Sequence, residues 1–262
     1  TYWGDQPILE APPYIGIVVV FLSFFTIFIS PIRKKYIWIY LGIVLSLLLS
    51  WGKNFDFLTK FFVEFFPLYN KFRAVSSIQV LLEFCFPILA TIGLYSFLKT
   101  PKNKSFSVLI KTYLLFLIVL LTIYLSSFTL SFSSTMDTYY GQIFGPEIIQ
   151  LIKKTRIEIF KNDVLRGIFL ISLVFVTFLL FLKNKINDRM TFTLILFFVF
   201  YDLISISNRY LDRDLFLKPS RISNFYNENN ADKEILKDTS YFRVLQPNST
   251  MQNARASFFH NS

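Results

Sequence analysis

Lys183-Asn184-Lys185-Ile186-Asn187-Asp188-Arg189 is a short basic loop between two apolar runs, Val164–Leu182 and Met190–Ile206. Each run approaches the roughly 20 residues that a helix needs to cross about 30 Å of hydrocarbon. Short loops rich in Lys and Arg stay on the cytoplasmic side of a bilayer, so this one gives a class and an orientation together. Outward from it the pattern repeats. Four more apolar runs read as spans: Ala11–Ser30, Tyr36–Trp51, Val75–Leu98 and Phe106–Leu130. Two more basic loops fall in alternation between them, one with Arg33, Lys34 and Lys35, the other with Lys99, Lys102, Lys104 and Lys111. The three loops hold ten bases against one acid, Asp188, while the rest of the chain balances at seventeen Lys/Arg and sixteen Asp/Glu. The formal charge of +10 therefore belongs almost wholly to one side. The expectation is an all-α polytopic membrane protein with about six transmembrane helices in residues 1–206 and both ends extracytoplasmic.

Composition removes several function classes. A basic chain can bind nucleic acid, but these bases flank spans instead of forming a continuous patch, so no nucleic-acid partner is expected. Membrane lipids are the expected surroundings. Cys85 and His260 are the only cysteine and histidine, which leaves no disulfide and no cluster of metal ligands. No phosphate-cradling glycine loop or nucleophile elbow occurs, and no cofactor is assigned.

Between the spans lie external segments. In Gly52–Ala74, Phe55, Leu58, Phe61, Phe62, Phe65 and Phe66 recur at helical spacing, interspersed with Asp56, Lys60 and Glu64. That pattern fits a helix lying on the outer membrane surface, apolar face down, or one packed on the tops of the spans. Ser131–Asp163 is a second external loop with an amphipathic helix expected within Pro146–Lys161. Residues 207–262 read as a linker and the beginning of an external domain, where the alternation of Tyr241-Phe242-Arg243-Val244-Leu245 suggests a strand. The chain opens on Thr1 in a polar loop and stops at Ser262 within a folding segment, as part of a larger protein would.

Ionisable groups within lipid are costly and need a partner or a wet cavity. Glu83 is such a group, and Arg73, Ser76 and Gln79 precede it at helical spacing, making a polar stripe that is either a substrate path or a structural network. Lys71 and Arg73, beside Tyr69 and Phe72, suit a lipid phosphate: Arg offers a fork, Lys a point charge and the rings an apolar cover. Plain interfacial anchoring is the bland alternative. Asp202 and Arg209 are seven apart, one helical face, and read as a structural ion pair or as site residues. Asp5 and Glu10 are external carboxylates that could serve as the base activating a hydroxyl, or be solvated loop acids.

Several of these stretches carry a resemblance. Trp3-Gly4-Asp5-Gln6-Pro7, Pro13-Tyr14-Ile15-Gly16, Leu48-Leu49-Ser50-Trp51-Gly52-Lys53-Asn54-Phe55, Tyr69-Asn70-Lys71-Phe72-Arg73-Ala74, Asp202-Leu203, Arg209-Tyr210-Leu211 and Ser257-Phe258-Phe259-His260 resemble, in order, motifs of the YfhO family of bacterial membrane proteins. The resemblance implies a GT-C-type glycosyltransferase in the bacterial cytoplasmic membrane. Its donor would be a polyprenyl-phosphate-linked sugar at the outer face, its acceptor a cell-envelope glycan or glycoprotein. Lys71 and Arg73 would hold the lipid phosphate, with Gln79 and Glu83 shaping the cavity. Such enzymes commonly carry their catalytic carboxylate in a first external loop, so the resemblance assigns no base here. One departure stands out: the family often places a Pro and a second Arg after Phe-Arg, where this chain has Ala74, Val75, Ser76 and Ser77. The rival functions are a transporter or lipid-handling protein using the same stripe, and a structural subunit of an envelope complex.

Overall fold

Apolar runs in lipid have no water to satisfy their backbone groups, so helices are the open-chain solution, and helices are what this chain builds. The computed structural model describes residues 13–71, 75–134, 136–211, 216, 218–220, 227–241, 243–244 and 258–260. The chain divides into two units, Thr1–Ser207 and Asn208–Ser262. In the first lie α1 (Ile17–Ser23), α2 (Phe25–Phe28), α3 (Ser30–Ser50), α4 (Asp56–Phe65), α5 (Val80–Lys99), α6 (Lys102–Ser126), α7 (Asp137–Phe144), α8 (Pro146–Leu182) and α9 (Asp188–Ser207). Short 3-10 turns cover Gly52–Phe55, Tyr69–Lys71 and Val75–Gln79. The second unit contributes α10 (Asn230–Ile235).

Four helices are long and apolar enough to cross a membrane: Ser77–Lys99, Lys102–Ser126, Pro146–Leu182 and Asp188–Ser207. Arg33–Ser50 with Gly52–Phe65 makes a fifth if a pair bent by 111° is taken as one span. These helices fit a multi-pass membrane protein; of the six spans expected, four or five meet that length and apolarity among the described residues. The first two apolar runs account for the difference: the second counts only as part of the bent pair, and the first is short. Among the described residues that first run forms only Ile17–Phe28, interrupted at Phe24 and ended at Ile29, where the backbone turns extended before α3. Hydroxyls compete for its carbonyls: Ser23 donates to Val20 O, Thr26 to Ser23 O, and Tyr40 reaches in from α3 to Ser23 O at 2.6 Å. Such back-bonding by Ser and Thr bends helices.

This short segment is also the centre of the bundle. Val18, Phe21 and Phe25 are fully buried, and α1 packs against α5, α6, α8 and α9. Phe25 stacks on Phe97 and meets Phe178 edge-on, while Phe21 and Phe24 meet Phe116. Lipid tails are as apolar as these rings, so packing and hydrogen bonds, not escape from water, hold the helices together. Close approach matters most at Gly93 of α5, where an added Cβ would stand 2.5 Å from Leu22 O of α1.

Two of the basic loops meet. Lys102, opening α6, donates to Asn184 after α8 and lies over the Phe181 ring. The end of the bundle bearing these loops is the basic end. At the opposite end α8 runs far beyond its apolar part. Its 37 residues measure about 55 Å at 1.5 Å per residue, and α7 packs back on that extension.

In the second unit, Asn229 and Asp232 form a reciprocal capping box on α10, and His260 Nε2 lies 3.2 Å from Asp232 Oδ1. No strand occurs among the described residues. Tyr241, Arg243 and Val244 are not in one; Phe242 and Leu245 lie outside the described residues.

Candidate functional site

A helix that begins inside a bilayer has unpaired N–H groups that water cannot reach. The first amides of α1 are met by a network that assembles three parts of the chain, residues 14–18, α8 and α9, at the end opposite the basic loops. Gly16 turns the backbone with φ +94°. Asp202 of α9, with no exposed surface, accepts from Val18 N at 3.3 Å through Oδ2. Its other oxygen accepts from Tyr14 Oη at 2.7 Å and from Arg166 Nη1 of α8 at 2.7 Å. The same Nη1 donates to Ser205 Oγ at 2.8 Å, and Nη2 to Tyr14 Oη at 2.9 Å. Carboxylate, guanidinium and phenol thus close one network over α1, α8 and α9.

Its depth follows from helix rise. Arg166 lies two residues inside the apolar run Val164–Leu182 and Asp202 four residues inside Met190–Ile206, about 3 and 6 Å from their ends. A carboxylate there is tolerable because the guanidinium faces it and the α1 N-terminus adds a favourable dipole. Gly16 is required as well: a Cβ would sit 3.2 Å from Asp202 Oδ2, on a backbone that disfavours side chains. The Arg166 Nε is buried without a hydrogen bond, and Asp163 Oδ1 stands 3.7 Å from it. Chemically the network joins helices: both Nη groups of Arg166 are engaged, and Nε is its unused donor.

A second polar join lies farther along α8. Arg156 grips Asp137 with both Nη atoms, at 2.8 and 2.9 Å, and donates to Phe132 O at 3.0 Å. Ser134 N donates to the same carboxylate. The Arg156 guanidinium holds the Asp137 carboxyl below its usual range.

The residues singled out in the sequence distribute differently. Asp5, Glu10 and Arg73 lie outside the described residues, as does the Ser76 side chain. Lys71 is exposed at the end of the turn Tyr69–Lys71. Gln79 is half-buried at the N-cap of α5. Glu83 stands in the first turn of α5, exposed, and makes no hydrogen bond or ion pair among the described residues. Asp202 has Arg166 as a cation at 2.7 Å; Arg209, its other candidate partner, belongs to the second unit. Tyr14, Asp163, Arg166, Ser205, Asp137 and Arg156 were not anticipated. The signal for Arg166 was present, because it is an ionisable residue within an apolar run, as Glu83 is.

Beside Lys71, the ring of Phe62 stacks on Phe66 and meets Tyr69, which ties the turn to α4. On α5, Val80, Phe84, Ile88, Thr91 and Tyr95 share one helical face, and all are exposed. No family model, curated protein or solved structure matches the chain.

Proposed function

We propose that the chain is the membrane part of a glycosyltransferase-like protein that accepts a polyprenyl-phosphate-linked sugar at the outer face of a bacterial cytoplasmic membrane. The sugar would pass to a cell-envelope glycan or glycoprotein. The observation that carries the reading is the exposed Lys71, which ends the turn whose Tyr69 meets the Phe62 ring of α4. An amphiphile with an anionic head needs a cation at head-group level and an apolar wall for its chain. Lys71 supplies the first, and the exposed face Val80, Phe84, Ile88 and Tyr95 supplies the second. Arg73, two residues on, would add a bidentate fork for the phosphate. The alternation of basic loops puts this end outside.

The experiment is binding of a fluorescent polyprenyl-phosphate sugar to the protein in nanodiscs. A hydrogen bond to a charged group contributes about 1.5–3 kcal/mol, so Lys71→Ala should weaken binding roughly ten-fold or more. Arg73→Lys should weaken it less than Arg73→Ala. Unchanged affinity in both alanine variants, at matched helicity, would remove the reading.

A structural subunit of an envelope complex is the second reading. The Tyr14–Arg166–Asp202 network favours it, since its hydrogen bonds are used in joining helices. The same binding experiment separates the two, because a purely structural chain would not distinguish sugar-loaded from empty carrier.

A further inference from the structure

The sequence left α4 two places to lie, on the membrane or on the tops of the spans. The geometry points to the first: we propose that α4 is immersed along one flank in the interface of the outer leaflet, with lipid as its occupant. Three observations carry this. α4 follows α3 after a single 3-10 turn, at a bend of 111°. With α3 near the bilayer normal, the α4 axis lies about 20° from the membrane plane, at the level where α3 ends. That level is already lipid-facing, since Val44, Leu45 and Leu47 of the outer half of α3, and Trp51 just after it, are exposed.

Second, no residue of α4 is buried. Leu58, Thr59 and Phe62 are half-buried, and Thr59 donates to Gly52 O, so the back of the helix rests on its own connecting turns. A helix packed on span tops would bury its aromatic face, and this one leaves Phe57 80%, Phe61 46% and Phe65 69% exposed.

Third, the two free flanks differ in chemistry. At 100° per residue, Asp56, Lys60 and Glu64 form one stripe and Phe57, Phe61 and Phe65 the next. The charged stripe is internally paired, Lys60 to Asp56 at 2.6 Å. A helix with its back on protein, rings down and charges up matches the gradient across a bilayer interface. The charged stripe carries two acids and one base, so it does not favour anionic lipid. A second copy of the chain would have to cover the same rings while leaving α3 its lipid, which the continuity with α3 disfavours.

The test places nitroxide labels at Phe57→Cys, Phe61→Cys and Phe65→Cys, and at Lys60→Cys and Glu64→Cys, one at a time in a Cys85→Ser background. The protein is reconstituted in phosphatidylcholine nanodiscs at one copy per disc. Accessibility to oxygen and to a nickel chelate is then read by power saturation. Labels at 57, 61 and 65 should favour oxygen, and labels at 60 and 64 the nickel chelate, with no change on adding anionic lipid. Nickel access on both flanks would mean that α4 stands in water; exclusion of both probes from 57, 61 and 65 would mean that protein covers them. Either result overturns the proposal. Carrier binding is not read in this experiment, so its outcome is separable from that of the sugar-transfer reading.

Discussion

Arg166 and Asp202 meet at 2.7 Å across 36 residues of chain, near the end of the bundle opposite the basic loops. Between them they reach Tyr14, Val18 and Ser205, so the pair binds the first helix to the last two.

Removing one partner of a buried pair leaves an uncompensated charge, which costs about 3–5 kcal/mol. Arg166→Met and Asp202→Asn should each lose stability of that order, measured by denaturant unfolding in mild detergent. The double variant should lose less than the sum of the two. Strict additivity would mean that the side chains do not act as a pair.

Gly93→Ala should destabilise by about 1–3 kcal/mol, because a Cβ would press on the Leu22 carbonyl and α1 must move to admit it. Gly42→Ala is the control. Nothing lies within 4 Å of the Cβ that would be added there, and Ala in a helix gains about 0.5–1 kcal/mol over Gly. Thermal unfolding of the two variants should therefore shift in opposite directions.

The Asp137–Arg156 pair predicts an acid-sensitive α7. Arg156 holds the Asp137 carboxyl below its usual 3.8, so the native state favours the ionised form. The resulting stabilisation is complete above the unfolded value and is lost as pH falls through the lower folded value. Amide exchange in α7 should stay slow from pH 7 to 5 and speed up beyond the ordinary acid dependence below about pH 4. In Asp137→Asn that extra step should vanish and α7 should exchange faster throughout. A step that survives the substitution would place the titration elsewhere.

Side assignments can be read with maleimides. In a Cys85→Ser background, Asn103→Cys at the basic end should be protected from an impermeant reagent in intact cells, and Ser133→Cys at the other end should react. Both positions are exposed, so silence would report the membrane and not burial. Reversed labelling would invert every statement about inside and outside.

Fold class was legible because lipid imposes one strong rule, and runs such as Met190–Ile206 obey it without competition. The span count was less so. Ala11–Ser30 is apolar enough, but back-bonding by Ser23 and Thr26 bends its helix, and Tyr40 reaches in from 14 to 17 residues away. The site was the least legible part. Asp202 drew attention, but Arg166, which holds it from 36 residues earlier, did not, since tertiary packing and not helical spacing brings the two together. Glu83 and Arg166 look alike as charges in apolar runs. One faces outward and the other inward, a difference set by which flank of each helix the neighbours cover.

Asp202 caps a helix through the Val18 amide, 184 positions before it. Ribosomes deliver α1 before α9, so the Val18 amide must wait for its carboxylate through the insertion of everything between. The opening helix of the bundle is in this sense finished by its closing one. Chains arrested before residue 202 should hold α1 loosely, and quality control would meet them as open at the amino-terminal edge.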